Sequence, residues 1–349
     1  MTDRERWQLR GPVRSCQLER RWYSRACGAD ACALEERGDA ATLEFRYDGN
    51  LSRQSHHNPD GSEWTSTYAY DDSGRLIQMR TETAAQVAKL CFYEYDSAGR
   101  LLRVLAREGD GDRTVETYEY SASGGKSKTL HVDIAAQRSD THYSWGIEGT
   151  DSAYSARGAA NLVKTYNHRD QPTQVSFRDL AGRELSRVEL RYDDAGRLVE
   201  EAQTNSQEVL PPEMLADLNA AQLEIVRRFF GAGTESIRRT QAYDEQGRRV
   251  ETRTKIGPLD CDRKTVSFNE HGDPLVELDE HEERQYDIDD EGRISDSPER
   301  ENVSRSEARF RYDYDGHGNW VSKRVECHSG SEDAFVLSSE ERRTITYFV

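Results

Sequence analysis

Cysteine, histidine and acidic side chains supply most metal-binding and catalytic groups, and this chain contains 6 cysteines and 9 histidines. Cys27 and Cys32 form a C-x4-C pair, but no second Cys or His pair follows at zinc-ligand spacing. His56 and His57 are adjacent, and adjacent side chains on a strand point to opposite faces, so the pair would chelate a metal poorly. The sequence therefore predicts neither a metal site nor a cofactor.

Carboxylates lie one residue apart in two segments, YDIDDEGR (286–293) and YDYDGHGN (312–319), as they do in calcium loops. Neither segment has the bidentate Glu at the end of the loop, and Asp is also an ordinary turn residue. The sequence has no G-x-S-x-G motif, no Walker A motif and no G-x-G-x-x-G between a strand and a helix. We therefore expect a protein that is not an enzyme, although scattered carboxylates leave a cryptic hydrolase as an alternative.

The composition limits the compartment and the partners. Of the 349 residues, 32% are charged and only 35% are hydrophobic, while 17 tyrosines favour strands. A formal net charge of -17 argues against a nucleic-acid partner, because phosphate binding relies on clustered Lys and Arg. No apolar run is long enough to span a bilayer, and the start lacks the apolar core of a signal peptide. These features predict a cytoplasmic protein with no membrane partner, unless a dedicated secretion system exports it.

An aromatic residue followed by Asp or Asn, a short gap and Gly recurs along the chain. The aromatic positions 47, 70, 95, 120, 143, 166 and 192, of which 120, 143 and 166 belong to degenerate copies, are separated by 23, 25, 25, 23, 23 and 26 residues. Further copies have their aromatic residue at 243, 268, 286 and 312. Such regular spacing predicts an array of similar units, each of which buries its apolar face against its neighbours.

Each unit is predicted to be a β-hairpin. In TSTYAYDDSGRLIQM (65–79), alternation places Tyr68 and Tyr70 on one face of a strand. Asp71 can hydrogen-bond the backbone of the turn, Gly74 can adopt positive φ, and such a turn commonly forms a hairpin with a bulge. The predicted structural turn residues are Asp71, Gly74, Asp96, Gly99, Asp193, Gly196, Asp244, Gly247, Gly292 and Gly318.

The units YDDSGRL (70–76), YDSAGRL (95–101), YDDAGRL (192–198) and YDEQGRR (243–249) resemble the YD repeats of the RHS family. That family includes teneurins, bacterial wall-associated proteins and toxin-complex shell subunits. The resemblance covers residues from about 40 to 349, and it implies antiparallel hairpins in a long coiling sheet, which large members close around a toxin. Here there are about ten units, and both the Pro- and Asp-rich self-cleavage signature and a toxin domain are missing. The resemblance therefore implies the sheet without toxin delivery.

Residues 210–231 break the strand pattern and take up a period of three to four, which predicts a helix. It could cover the sheet of its own chain or dock a partner, and the width of its apolar stripe favours a cover. The candidate docking residues are Leu215, Leu218, Val226, Phe229 and Phe230.

The sequence thus predicts one all-β repeat domain over 1–349: a curved or coiling antiparallel sheet of tandem YD-repeat hairpins with one helical insertion. Lead-in strands would occupy 1–44, repeats 45–209, the helix 210–231, and repeats with a final strand 232–349. We expect a non-enzymatic interaction or scaffold protein with an unidentified protein partner, linked to a secretion or toxin locus. A carbohydrate-binding module is the alternative, with Trp64, Trp145, Trp320 and the tyrosines as a stacking platform, although tyrosines fixed in phase with the repeat favour packing.

Overall fold

The described part of the computed structural model comprises residues 2–27, 32–84, 87–108, 111–121, 125–131, 144–146, 153–155, 161–206, 223, 233–257, 260–285, 300–329 and 334–349. The predicted turn residue Gly292 and the five candidate docking residues lie outside these ranges. So does the predicted helical insertion, apart from Leu223, which is helical.

Nearly all of the described chain is β-strand, and the pairings are antiparallel, so the all-β prediction is confirmed. One short helix, α1 (Asp3–Arg6), precedes the strands. The first strands are β1 (Val13–Cys27), β2 (Cys32–Phe45), β3 (Leu51–His57), β4 (Glu63–Tyr70), β5 (Leu76–Thr83), β6 (Val87–Tyr95), β7 (Leu101–Glu108), β8 (Gly111–Tyr120), β9 (Lys126–His131), β10 (Ser144–Gly146) and β11 (Ala153–Ser155). The others are β12 (Asn161–Tyr166), β13 (Pro172–Arg178), β14 (Glu184–Tyr192), β15 (Leu198–Asn205), β16 (Glu235–Tyr243), β17 (Arg249–Ile256), β18 (Asp260–Phe268), β19 (Pro274–Gln285), β20 (Arg300–Tyr314), β21 (Trp320–Ser329) and β22 (Val336–Tyr347).

The sheet is closed, which corrects the prediction of an open curved or coiling sheet. A 20-stranded sheet contains every strand except β10 and β11, which pair with each other. Strand β1 pairs with β2 on one side and with β22 on the other, so Cys16 lies opposite both Leu43 and Ile345. Because the first strand pairs with the last, the sheet forms a 20-stranded barrel. A hairpin pattern read along the chain cannot show this long-range pairing.

The hairpin turns are built by the Asp and Gly of each unit. In the first full repeat, the Asp71 N–H donates to the Arg75 carbonyl and the Gly74 N–H to the Asp71 carbonyl, both at 2.9 Å. The Asp71 carboxylate accepts the Arg75 backbone N–H at 2.9 Å and its Nε–H at 2.7 Å. Gly74 has a φ of 78°, which a side chain would oppose. The acid thus organises the turn and holds the following arginine.

Seven repeat hairpins contain a β-bulge immediately after the turn, as the turn chemistry predicts, whereas β8 and β9 pair without one. In the β4–β5 hairpin, Tyr70 pairs with Leu76 while Ala69 pairs with Gln78, so Ile77 is the extra residue. The same shift follows the turns of β2–β3, β6–β7, β12–β13, β14–β15, β16–β17 and β20–β21.

A tyrosine joins consecutive hairpins. The Tyr95 hydroxyl donates to the Leu76 carbonyl of the preceding turn at 2.8 Å, and the Arg75 guanidinium lies 4.9 Å from the centre of the Tyr95 ring. Tyr243 makes the same two contacts, to Leu198 at 2.7 Å and to Arg197 at 4.9 Å. These tyrosines therefore connect neighbouring units, each with a partly buried hydrogen bond and a cation–π contact.

The chain divides into two compact units with separate cores. Unit 1 comprises 1–113, 267–278 and 306–349, and unit 2 comprises 114–266 and 279–305. The core of unit 1 consists of Leu9, Val13, Cys16, Leu43, Phe45 and Leu51. The core of unit 2 consists of Leu162, Val175, Phe177, Val188, Leu190 and Leu198. Unit 2 also buries the Glu201 side chain completely, and this carboxylate accepts a hydrogen bond from Gln241 at 3.0 Å.

Replacing the turn glycines should destabilise the protein. We expect Gly74→Val and Gly99→Val each to lower the free energy of unfolding by about 1 kcal/mol or more, because both residues have positive φ. Gly111→Val is the matched control, since Gly111 lies in strand β8 with open space at its Cβ position and without positive φ. Urea unfolding measures the differences. Equal stability of all three variants would contradict the turn geometry.

The turn acids should also make the fold sensitive to acid. Hydrogen bonds from backbone N–H groups, chiefly those of Arg75, Arg100 and Arg197, hold the pKa values of Asp71, Asp96 and Asp193 below their ordinary value of 3.8.

A carboxyl group with a lowered folded-state pKa stabilises the fold above its unfolded pKa, and this contribution is lost as pH falls through the folded pKa. Asp71→Asn should therefore lower the melting temperature at pH 7, and its difference from the wild type should narrow below pH 3.8. Thermal melts of the variant and the wild type between pH 7 and pH 3 measure this difference. A difference that does not change with pH would contradict the role of the charged Asp71 carboxylate in binding Arg75.

Candidate functional site

Two turns of unit 1 depart from the repeat pattern. After the turn Gly, five described turns have an arginine, whereas these two have Asp273 and Asn319. The turns of Gly49 and Gly61 also lack that arginine and have Asn50 and Ser62. Their backbone geometry is retained, because Gly272 and Gly318 have φ values of 83° and 77°. The two turns therefore differ from the repeat in the side chain directly after the turn glycine and not in their backbone.

The following tyrosines compensate for the missing arginines. The Tyr314 hydroxyl donates to Asp273 Oδ2 at 2.7 Å and accepts from Asn269 Nδ2 at 2.7 Å. The Tyr347 hydroxyl donates to the Asp315 carboxylate and accepts from Asn319 Nδ2 at 2.9 Å. Burial, followed by the hydrogen bond to the carboxylate, raises the pKa of Tyr314 and of Tyr347 to about 12. Both phenols therefore remain protonated donors at neutral pH.

A histidine takes the place of the arginine on each of these tyrosine rings. The His271 ring stacks on Tyr314 with 4.0 Å between ring centroids, and His317 lies 4.1 Å from Tyr347. Each histidine lies two residues before the position that the arginine occupies elsewhere. The two turns thus keep the aromatic contact with a side chain that carries no fixed charge.

Residues 2–12 form an N-terminal strap across these turns. The Arg10 backbone N–H donates to Asn319 Oδ1 at 2.6 Å, and Asn319 Nδ2 donates back to the Arg10 carbonyl at 2.9 Å. The Arg10 guanidinium donates to the Gly318 carbonyl at 2.9 Å and to the His271 carbonyl at 2.6 Å. Arg10 therefore joins both exceptional turns.

The other end of the strap is fixed in the same way. The Arg4 N–H donates to the Gly49 carbonyl at 2.9 Å, and Asp3 Oδ2 accepts the Leu51 N–H at 2.9 Å. Leu9 is buried in the core of unit 1, with Trp7 packed against it. The strap is thus attached by both backbone hydrogen bonds and apolar burial.

A cleft of about 450 Å³ lies between the strap and the two turns. It is lined by Glu5, Gln8, Leu9, Arg10, Phe268, His271, Gly272, Asp273, Pro274, Gly318 and Trp320. A volume of this size fits a small ligand or one side chain of a partner. Gln8 is one of two described non-glycine residues with positive φ, at 54°. The cleft combines carboxylates, an amide and an apolar wall, and these groups suit binding of a polar group on an apolar stem.

The polar groups predicted from the sequence elsewhere are engaged within the fold. His56 Nε2 lies 3.3 Å from Asp39 Oδ2, and Arg20 binds the same carboxylate through two hydrogen bonds of 2.8 and 2.7 Å. His57 instead lies 2.7 Å from Glu63, so the adjacent histidines have separate partners. Cys27 lies opposite Cys32 in the β1–β2 register. The described residues contain no group of three or more metal-ligating side chains placed to hold an ion.

Two of the predicted platform tryptophans are covered. Trp64 stacks on His56 with ring centroids 5.4 Å apart, and the Arg343 guanidinium lies 3.5 Å from the centre of the Trp320 ring. Trp320 is 7% exposed. These rings therefore serve internal packing on at least one face, while Trp320 also contributes to the cleft.

Neither the strap nor the cleft was predicted from the sequence. The sequence does carry a sign of the site in the units SFNEHGDPL (267–275) and YDGHGNW (314–320). In both, another residue replaces the turn arginine and a histidine directly precedes the turn glycine. A residue that departs from the repeat does not make the contact that the other units share, so it is a candidate for a separate role.

Comparisons with known proteins show no family for this chain. No protein-family model matches, and no curated protein matches. A solved porin-like protein from Bacteroides uniformis ATCC 8492 is similar over 97% of this chain and 99% of its own, with 11% identity and a TM-score of 0.35. The solved TcdB2-TccC3-Cdc42 structure is similar over 93% of this chain and only 19% of its own, with 11% identity and a TM-score of 0.25. Such low similarity does not establish a shared fold or function.

The predicted cytoplasmic location is wrong. It depended on the start of the sequence and on the absence of a long apolar run, neither of which reports on a closed sheet. Closed antiparallel sheets with an even number of strands, from about 8 to 26, are the architecture of bacterial outer-membrane barrels. The closed sheet described here has 20 strands, an even number within that range. Among the described residues, no helix is both long and apolar enough to cross a membrane.

The tyrosine–carboxylate contacts should make the strap sensitive to alkali. A tyrosine whose folded-state pKa is raised stabilises the fold fully below its unfolded pKa of about 10, and loses that contribution as pH rises through the folded pKa. The stability of unit 1 should therefore decline between about pH 10 and 12.

Tyr314→Phe combined with Tyr347→Phe should lower stability at pH 8 and make this alkaline decline shallower. Tyr192→Phe is the control, because Tyr192 also has a raised pKa but donates to the Pro172 carbonyl in unit 2. The protection of the backbone amides of residues 2–12 from hydrogen exchange measures how firmly the strap is attached. Unchanged protection of those residues in the double variant would contradict the role of the two phenols.

Proposed function

We propose that this chain is a non-enzymatic interaction protein of the YD-repeat type, and that it binds its partner at the cleft end of unit 1. Support for the YD-repeat type comes from the turn, in which Asp holds the following Arg and the next Tyr reaches back to the turn carbonyl. The proposed partner is a protein, consistent with the secretion or toxin locus expected from the sequence.

The location of the binding surface rests on one observation: the repeat changes its side chains where the strap is attached. Residues common to all units are used to join hairpins, as Tyr95 and Arg75 show. Among the described turns that carry the turn Gly, those of Gly49, Gly61, Gly272 and Gly318 have no arginine after it. Three of these four, all except the Gly61 turn, contact the strap. The local departure supports a role that the other turns do not share.

Binding is favoured over catalysis by how the ionisable groups of the cleft are used. Asp273 accepts the Tyr314 hydroxyl, the His271 ring is stacked, and the Arg10 guanidinium donates to two carbonyls. A general base needs a free, oriented acceptor near a nucleophile. These three groups instead hold the walls of the cleft together, so a hydrolase is the weaker proposal.

Carbohydrate binding remains a second proposal, supported by the aromatic residues Phe268 and Trp320 in the cleft wall. Sugars stack on open aromatic faces, and the Arg343 guanidinium already lies 3.5 Å from the centre of the Trp320 ring. Occupation of that face reduces the area available for stacking. A protein partner is therefore preferred.

Site-specific photo-crosslinking in the native cells tests the proposed surface. A benzoylphenylalanine at Glu270, an exposed residue on the turn beside the cleft that does not itself line the cleft, should give a discrete adduct with one protein. The control probe is placed at Leu180, which is 70% exposed on a turn of unit 2. The same adduct from both positions, or an adduct from Leu180 alone, would reject the cleft as the binding surface.

A further inference from the structure

We infer that the cleft recognises a cationic group on an apolar stem, such as the guanidinium or ammonium of an Arg or Lys side chain of the partner. The inference rests on the proposed function, since it specifies the chemistry of the same surface. It follows from the two carboxylates that line the cleft, from the absence of a direct ion pair to either of them among the described residues, and from the apolar wall beside them.

Two acidic residues line the cleft, Glu5 of the strap and Asp273 of the turn. Glu5 Oε2 accepts the Thr2 N–H at 2.7 Å, and Asp273 Oδ2 accepts the Tyr314 hydroxyl at 2.7 Å. Each carboxylate therefore uses one oxygen in the fold. Neither forms an ion pair with another of the residues that the structure describes.

The fixed positive charges nearby do not neutralise these carboxylates by direct contact. Arg10 lines the cleft, but its guanidinium donates to the carbonyls of Gly318 and His271. Arg343 lies within electrostatic range of Asp273, but its guanidinium is buried against the Trp320 ring, and burial lowers its pKa. The second carboxylate oxygen of Glu5 and that of Asp273 can therefore each accept a hydrogen bond from a cation in the cleft.

The other residues that line the cleft can contact the methylene groups of such a side chain and accept hydrogen bonds from its N–H groups. Leu9, Phe268 and Pro274 supply an apolar wall against which methylene groups can pack. The Gln8 side chain makes no hydrogen bond within the described structure, so its amide oxygen can accept from a guanidinium or ammonium. An anion would instead meet two carboxylates, which repel it.

Isothermal titration calorimetry of the whole protein with defined probes tests this inference. The probes are N-acetyl-arginine amide and N-acetyl-lysine amide, with N-acetyl-citrulline amide as the neutral analogue of the same shape. At low ionic strength, the two cationic probes should bind at least about tenfold more tightly than citrulline amide. Added salt should weaken their binding through screening.

Isosteric variants then locate the site. Glu5→Gln and Asp273→Asn keep an oxygen for Thr2 and for Tyr314, and each should weaken binding of the cationic probes about tenfold. Glu270→Gln is the matched control, because its side chain is 90% exposed, and it removes one charge from the same turn without lining the cleft. It should change affinity less than about twofold. Thermal melts establish that each variant is folded.

Three results would overturn the inference: no binding of the cationic probes to the wild type, equal binding of citrulline amide, or an equal loss in Glu270→Gln. A failed titration with an intact crosslink from Glu270 would reject the cation alone. The same adduct from Glu270 and from Leu180 would reject the binding surface itself, so the two failures are distinguishable.

Discussion

The hydrogen bond from one hairpin's tyrosine to the carbonyl of the preceding turn is the contact on which the array depends. Tyr70, Tyr95, Tyr192 and Tyr243 each make it, at 2.7 to 2.8 Å. It fixes the distance between successive turns, and Arg75 and Arg197, each held by its turn Asp, lie over the rings of Tyr95 and Tyr243. Since the hydroxyl is partly buried, its partner also avoids the cost of an unsatisfied polar group. The fold thus repeats one polar contact where many sheets rely on apolar packing alone.

Closure of the sheet changes the means by which a partner can bind. An open array has two edge strands, whose unpaired N–H and C=O groups attract further strands. Here β1 pairs with both β2 and β22, so the strand that would have been an edge has partners on both sides. Strand addition is therefore unavailable at β1, and side-chain surfaces or turns must provide recognition there. This constraint favours a cleft formed by turns over a binding edge.

The features that could be predicted from the sequence are those determined by residues close together along the chain. Asp71 and Gly74 determine their own turn through contacts within four residues, so their motif was sufficient to predict the hairpin and its bulge. Pairing of Cys16 with Ile345 has no local signature, which is why closure was missed. The strap could not be predicted either, because Arg10 binds Asn319, a residue 309 positions away. Even so, the unusual residue after Gly318 was visible in the sequence.

The pairing of β1 with β22 also has a consequence for the order of folding. A linear array can grow one hairpin at a time from either end, since every contact is with the neighbouring unit. Here Val13 pairs with Tyr347, so one side of β1 lacks its partner until more than three hundred further residues have left the ribosome. During synthesis that side is an exposed strand edge, which carries a risk of pairing with other chains. Closing such a long loop costs entropy that shorter hairpins avoid, and this step is expected to be slow compared with formation of the hairpins.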